Sequence, residues 1–547
     1  HTAVISPPRN FIDLNKRPPV AVSLGCHVTG YAPPKPCLTH TPSAIRGTMR
    51  RFATEPKVPN RQQLRKLERF IDKWLSKNLT PLDSTTDFSV ERWLANTTYP
   101  ERRKLELLEL NKAILSETDP KYWRVKSFIK EETYAEYKDL RPINSRTDEF
   151  KTIVGPYFKH IEEALFQNHH FIKKIPVHER PKYIMDKLYS PEARYIASDY
   201  TSFEAHFTAE IMHAIEFRLY KYMVSKCPHS TFTYLLDSAL AGNNEIAFKD
   251  FCVQIQAIRM SGEMCTSSGN GFTNLMLMLF VLSGSGCTNV DGVVEGDDGL
   301  FRYHGPDPNA EMFSELGWNI KLDIHDELST ASFCGLVFDI EDLKNVTDVR
   351  DVLINFGWTQ RAYLLSGKSR KLDLLRAKGF SYAYAYPGCP IIGALSRYAL
   401  RVTRGRTIDH FIKNSVHMGE WEREWLLKAI QTVPSVANTP VGMRTRLLVE
   451  QLYSVKIEDQ ILIENYLDSL TKIQPLNHPS FDILSEISSH YYHNYVRSVR
   501  RGDMMWRQDI SAVAGSPVYT PEEMRLVFSE NPFIGDPKNR NRWIPDG

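Results

Sequence analysis

Residues 293–301, VVEGDDGLF, set two aspartates side by side between apolar flanks. Val293 and Val294 on one side, Leu300 and Phe301 on the other, read as two short β-strands, and Gly296 and Gly299 mark the turn between them. Carboxylates crowded at the tip of a half-buried hairpin repel one another unless positive charge sits beside them. Mg²⁺ or Mn²⁺ answers that need, because hard oxygen donors suit both ions. The bland counterpart is an ordinary polar turn. A tripeptide of this kind arises by chance often enough that its surroundings have to decide.

The surroundings are informative. RYIASDY (194–200) reads as a strand ending at Asp199, with Glu204 about one turn beyond. SGEMCTSSGNGFTNLMLM (261–278) places Ser261, Thr266 and Asn270 in a small, polar segment that opens a helix, with Asn270 and Asn274 on one helix face. Small residues allow close backbone approach to a nucleotide. Lys321 follows in LGWNIKLD (316–323), and FCGLVFD (333–339) reads as a further short strand. Taken singly, a strand-end aspartate is a helix cap and a glycine-rich loop caps a core helix. Taken in order, two strands that bring Asp199 and Asp297 together build a two-metal site for in-line phosphoryl displacement.

The rest of the chain frames this constellation. Its 547 residues suggest about three domains or subdomains. Residues 1–60 are proline-rich and read as an extended arm; Cys26, His27, Cys37 and His40 within it match no familiar zinc spacing, and simple packing is expected of them. From Asn60, Leu64, Leu67, Ile71, Trp74 and Leu75 recur at helical spacing. RVKSFIKEETYAEYKDLRPINSR (124–146) concentrates Lys126, Lys130, Lys138, Arg141 and Arg146, either a solvated face or an anion-binding surface. Residues 210–226 read as one amphipathic helix, and the apolar run 274–282 is too short to cross a bilayer and is expected as a buried helix. Helical periodicity dominates after 345, where Arg397, Arg401, Arg404 and Arg406 suit a duplex exit path or a solvated face equally. The net charge of +3 means that any nucleic-acid surface comes from local clustering. Eight scattered cysteines suit a reducing, intracellular setting. The chain begins at His1, as expected of a piece cut from a longer product, with any membrane anchor outside it.

From about residue 124 to 340 the chain resembles the RNA-dependent RNA polymerases of positive-strand RNA viruses, tombusvirus-like replicases above all, with weaker similarity over 443–467. The resemblance implies an α+β right-hand fold of fingers, palm and thumb, with an antiparallel palm sheet and a helical thumb. Its boundaries would be an arm over 1–60, mainly fingers over 61–190, palm over 191–340 with a fingers insertion near 227–260, and thumb and tail over 341–547. It implies Asp199, Asp297 and Asp298 as ligands of Mg²⁺ or Mn²⁺, and Lys321 as the general acid for pyrophosphate. Lys130, Lys138 and Arg141 would hold the triphosphate, with Ser261, Thr266, Asn270 and Glu204 about the sugar. Glu204 departs from the family's usual Asp, which puts its part in reading the ribose in doubt. The implied partners are RNA template and product, ribonucleoside triphosphates and other viral replication proteins. The implied location is host cytoplasm at membrane-associated replication complexes, with membrane contact indirect. A reverse transcriptase usually shows an aromatic residue ahead of its paired aspartates, where this chain has Glu295 and Gly296. A non-catalytic RNA-binding scaffold would be expected to lose a metal carboxylate, and none is lost.

Overall fold

The computed structural model describes residues 4–6, 22–31, 33, 41–52, 57–132, 140–249, 251–363 and 365–487. The region expected as an extended arm contains strands β1 (Val4–Ser6) and β2 (Val22–Ser23) and helix α1 (Thr41–Phe52). Pro42 lies in the first turn of α1, where a missing N–H costs little, so proline richness did not exclude a helix there. Helix α2 (Arg61–Asn78) starts where Asn60 accepts bonds from the N–H groups of Gln62 and Gln63. It buries the expected stripe Leu64, Leu67, Ile71, Trp74 and Leu75. Helices α3 (Val90–Ala95) and α4 (Glu101–Lys112), strands β3 (Val125–Ile129) and β4 (Pro142–Arg146), helices α5 (Asp148–Leu165) and α6 (Arg180–Leu188) and strand β5 (Arg194–Tyr200) follow.

The single helix expected over 210–226 is two, α7 (Ala209–Ala214) and α8 (Glu216–Met223), broken at Ile215 with φ −119° and ψ −82°. The break turns Glu216 inward to meet a buried arginine, a tertiary demand that periodicity does not carry. After α9 (Ser230–Leu235), strands β6 (Asn243–Ala247) and β7 (Cys252–Gln256) form a hairpin. Helix α10 (Thr266–Gly284) is the buried helix expected from its apolar run, with Leu275, Met276, Leu277 and Met278 all fully enclosed. Strands β8 (Thr288–Glu295) and β9 (Asp298–His304), helix α11 (Ala310–Glu315) and strand β10 (Ile320–His325) complete this region. The strand expected over 333–339 shrinks to Val337–Phe338. Cys334 and Gly335 both take positive φ there and turn the chain.

The chain divides into two compact units. The first, which includes Thr48–Phe128 and Pro142–Ile340, carries a five-stranded sheet in the order β1-β7-β6-β3-β4 and a four-stranded sheet in the order β10-β5-β9-β8. Its core gathers α2, α5, α8 and α10 with Ile196, Val294 and Phe301 of the four-stranded sheet. The second unit is mainly helical from Val349 to Ser469. Three of its arginines are tied within it: Arg397 to Asp468 at 2.8 Å, Arg401 to the carbonyls of Leu467 and Leu470, and Arg406 to Asp373 at 2.7 Å. Those ties favour a structural part for them over an exit path. Cys26 is a buried thiol pushed up to about 12 by that burial, and His27 bonds Ser23 Oγ at 2.8 Å; Cys37 and His40 lie outside the described residues. The described cysteines are all free thiols.

Candidate active site

The four-stranded sheet is antiparallel, and its register determines what meets at its edge. Lys321 pairs with Asp199, Ser198 with Gly299, and Glu295 with Asp298. One step beyond the Ser198–Gly299 pair, Asp199 falls opposite Asp298. Residues directly opposite in antiparallel strands share a face. Lys321, Asp199, Asp298 and Glu295 therefore form one transverse row across β10, β5, β9 and β8. Alternation along β5 puts this row on the face opposite Ile196 and Ser198, and it is Ile196 that packs into the core. Lys321, Asp199, Asp297 and Asp298 are all exposed.

The turn is narrower than expected. Gly296 and Asp297 are its two central residues, since β8 ends at Glu295 and β9 begins at Asp298. Only Gly296 takes positive φ, at +61°, the pattern of a type II′ hairpin turn. Gly299 lies inside β9 and is needed for space. A Cβ there would stand 2.8 Å from Asn274 Nδ2, 2.8 Å from Ser198 Oγ and 2.7 Å from the Phe301 ring. Asn274, fully buried in α10, donates to the Asp297 carbonyl at 3.0 Å and to Ser198 Oγ at 3.2 Å, and accepts from the Tyr200 hydroxyl at 3.1 Å. These three side chains lock the hairpin tip to helix and strand. The only hint of them in the sequence was that Asn274 shares a helix face with Asn270. Gly299→Ala is accordingly expected to cost about 1–3 kcal/mol by overpacking and to lower nucleotide incorporation at least tenfold. Urea denaturation and single-turnover rates check it, and normal turnover in a destabilised variant would detach the Asn274 lock from activity.

Carboxylates crowd the tip. Although the Asp298 side chain reaches solvent, the protein packed around its carboxyl and then the charges of Asp297, Glu295 and Asp199 push it up to about 6. Glu295 has its own counterion, Arg180 at 2.6 Å, which sequence reasoning did not find. A folded-state value above the ordinary carboxylate range means that the folded chain holds more protons than the unfolded one between about pH 4 and pH 6. Metal-free stability therefore falls as pH rises through that window and stays low above it. Asp298→Asn is expected to raise the metal-free melting temperature at pH 8, by a modest amount equivalent to about 1 kcal/mol or less because solvent screens the tip. The gap should close by about pH 4. Thermal denaturation with a chelator at both pH values measures it, and equal melting at pH 8 would contradict the repulsion.

The residues expected around the sugar are spread over several roles. Ser261 Oγ donates to the Pro142 carbonyl at 3.3 Å, and Thr266, the first residue of α10, donates to the Met260 carbonyl at 3.1 Å. Glu204 and Asn270 were both expected about the sugar, and no bond joins them among the described residues. Glu204 instead pairs with Arg51 at 3.0 Å, while Asn270 Oδ1 accepts from Arg259 Nε at 2.9 Å. A guanidinium buried beneath the helix outcompetes a carboxylate in a separate loop, and nothing in local spacing announces it.

Of the triphosphate-binding candidates, Lys130 and Arg141 belong to the second unit, where both reach Glu132, at 2.8 and 3.1 Å. Lys138 lies outside the described residues. Arg146, part of the same basic run, is turned inward onto Glu263 at 2.6 Å and Asn244 Oδ1 at 2.8 Å.

Two groups of side chains fit a metal to different degrees. His169, His170 and Asp291 are close enough to share an ion. However, the Lys187 ammonium already sits 2.5 Å from His169 Nδ1 and 2.8 Å from Asp291, supplying positive charge there. At the hairpin tip the donors are carboxylate oxygens, burial and then the neighbouring carboxylates push Asp298 up, and a hard divalent cation fits.

Acidic groups gathered at a hairpin tip, with a lysine aligned across the sheet and a small-residue loop opening a buried helix, suit an enzyme that transfers nucleotidyl groups. Residues 48–307 match the family described as viral RNA-dependent RNA polymerase, a span that includes Asp199, Asn270 and both hairpin aspartates. Over that span the chain is similar to that family, and its activity is template-directed RNA synthesis. Viral RNA-dependent RNA polymerases generally use divalent metal ions. No curated protein matches the chain.

Proposed function

We propose that this polymerase extends RNA by a two-metal mechanism at the row Lys321–Asp199–Asp298 and the adjoining tip residue Asp297. The observation that carries the reading is the register, which aligns residues from three separate strands on one open face. Asp199, Asp297 and Asp298 would hold Mg²⁺ or Mn²⁺, which when bound supplies charge stabilisation and a more acidic hydroxyl. The 3′-hydroxyl of the growing strand loses its proton to water as its oxygen bonds to the α-phosphorus of the incoming ribonucleotide, and the bond from that phosphorus to the pyrophosphate oxygen breaks. Lys321, exposed on the same face, gives its proton to the leaving pyrophosphate. Asn270 donates to the ribose 2′-hydroxyl. The assignment of Lys130, Lys138 and Arg141 to triphosphate charge rests on the motif resemblance alone, and Glu132 is the group that pairs with Lys130 and Arg141.

In this reading the four-stranded sheet is the palm, the five-stranded sheet belongs to the fingers, and the helices after Glu341 form the thumb. The tombusvirus-like kinship rests on the motif sequences. Replication would take place in host cytoplasm at membrane-associated complexes, alongside other viral replication proteins. Among the described residues, no helix is long and apolar enough to cross a membrane. Purified protein incubated with homopolymeric RNA, labelled ribonucleotides and Mg²⁺ or Mn²⁺, with and without primer, tests the reading. Template-dependent, chelator-sensitive product is expected. Product that persists with the metal stripped would overturn the metal assignment.

A further inference from the structure

Arg259 is fully buried, yet most of what it touches is polar. Its Nη2 lies 2.5 Å from Glu216 Oε2, its Nη1 reaches Cys265 Sγ at 3.2 Å, and Glu263 Oε2 stands 3.6 Å away. The Phe207 ring covers the guanidinium carbon at 4.4 Å. Tyr220 also donates to Glu216 Oε2, at 2.7 Å. What remains is Nε, and it donates to Asn270 Oδ1 at 2.9 Å.

The chain accepts backbone strain to place this side chain. Ala257 and Ile258, just ahead of Arg259, take φ of +55° and +69°, a region a β-branched residue rarely enters. Gly269, just ahead of Asn270, has no room for a Cβ, which would stand 2.5 Å from Glu216 Oε2 and 2.6 Å from Arg259 Nη2. The first turn of α10 is thus seated directly on the ion pair. A buried ion pair is a poor device for stability alone. Its geometry serves orientation better, since guanidinium is a rigid fork of donors with no acceptor.

We propose that Arg259 is the positioning residue that sets Asn270 for reading the ribose. The inference rests on the assignment of Asn270 to the 2′-hydroxyl. Arg259 can only donate, so the atom facing it has to be the amide oxygen. Nδ2, which has no partner among the described residues, is left as the donor for the sugar. Without Arg259 the amide is free to rotate and present either atom, and a site that no longer requires a hydroxyl stops penalising its loss.

The test compares single-nucleotide incorporation of ATP and dATP, kcat and KM separately, in wild type, Asn270→Ala and Arg259→Lys. Lysine keeps the buried charge facing Glu216 and removes the Nε donor. The expected result is an ATP-over-dATP preference that falls at least about tenfold in Arg259→Lys, chiefly through poorer use of ATP, at a melting temperature close to wild type. Asn270→Ala should lose preference at least as far. If Asn270→Ala loses preference and Arg259→Lys keeps it, the positioning role is wrong and the sugar assignment stands. If Asn270→Ala keeps it, the sugar assignment itself fails and this inference with it. Should Arg259→Lys not fold, the neutral pair Arg259→Met with Glu216→Gln replaces it and is read by the same ratio.

Discussion

Asp199→Ala and Asp297→Ala are each expected to lower nucleotide incorporation by at least about 10³-fold, with folding and RNA binding retained. Several kcal/mol of charge stabilisation disappear with a metal ligand, and each 1.4 kcal/mol is about a factor of ten in rate. Asp199 is exposed at the end of β5 and Asp297 is exposed in the turn, so neither side chain is packed in the core. If RNA is held through its phosphates by groups elsewhere, binding should survive and stay salt-sensitive. The comparison is incorporation rate against RNA affinity in the same preparations. Near wild-type synthesis by either variant would remove that carboxylate from the metal set. Asp298→Asn is expected to be milder, as befits a supporting ligand that retains one oxygen donor.

Lys321→Leu is expected to slow the chemical step by about 10²- to 10⁴-fold, the usual range for a general acid, with triphosphate affinity changed much less. The register adds to the case, since Lys321 is the cross-strand partner of Asp199 and lies on the exposed face of β10. An exposed lysine is replaceable without a packing penalty, so a loss of rate reports on chemistry. Pre-steady-state incorporation across a nucleotide series separates the outcomes. A raised apparent KM at unchanged turnover would make Lys321 a phosphate ligand instead.

Both predictions use residues that are legible in the amino-acid sequence, and the reason is local. Asp199 stands near the end of a strand that RYIASDY announces, and β5 runs over those same seven residues. The stripe from Leu64 to Leu75 and the apolar run of α10 are legible because a helix's burial pattern is written along a few consecutive turns. Glycine told less than the whole truth. Gly296 is in the turn because the backbone needs positive φ, whereas Gly299 answers to the side chain of Asn274 on a distant helix.

What the sequence by itself determined is the order of the acidic and polar groups and most of the strands and helices that carry them, since period, caps and turn residues act within a few neighbours. The partner of each polar side chain was decided by the tertiary structure alone. It gave Glu204 to Arg51, Glu295 to Arg180, Arg146 to Glu263 and Asn270 to Arg259. It broke the helix at Ile215 so that Glu216 could reach Arg259. Burying a charge or an amide is affordable only where a partner stands ready, and which partner that is depends on elements distant in the chain arriving at one place.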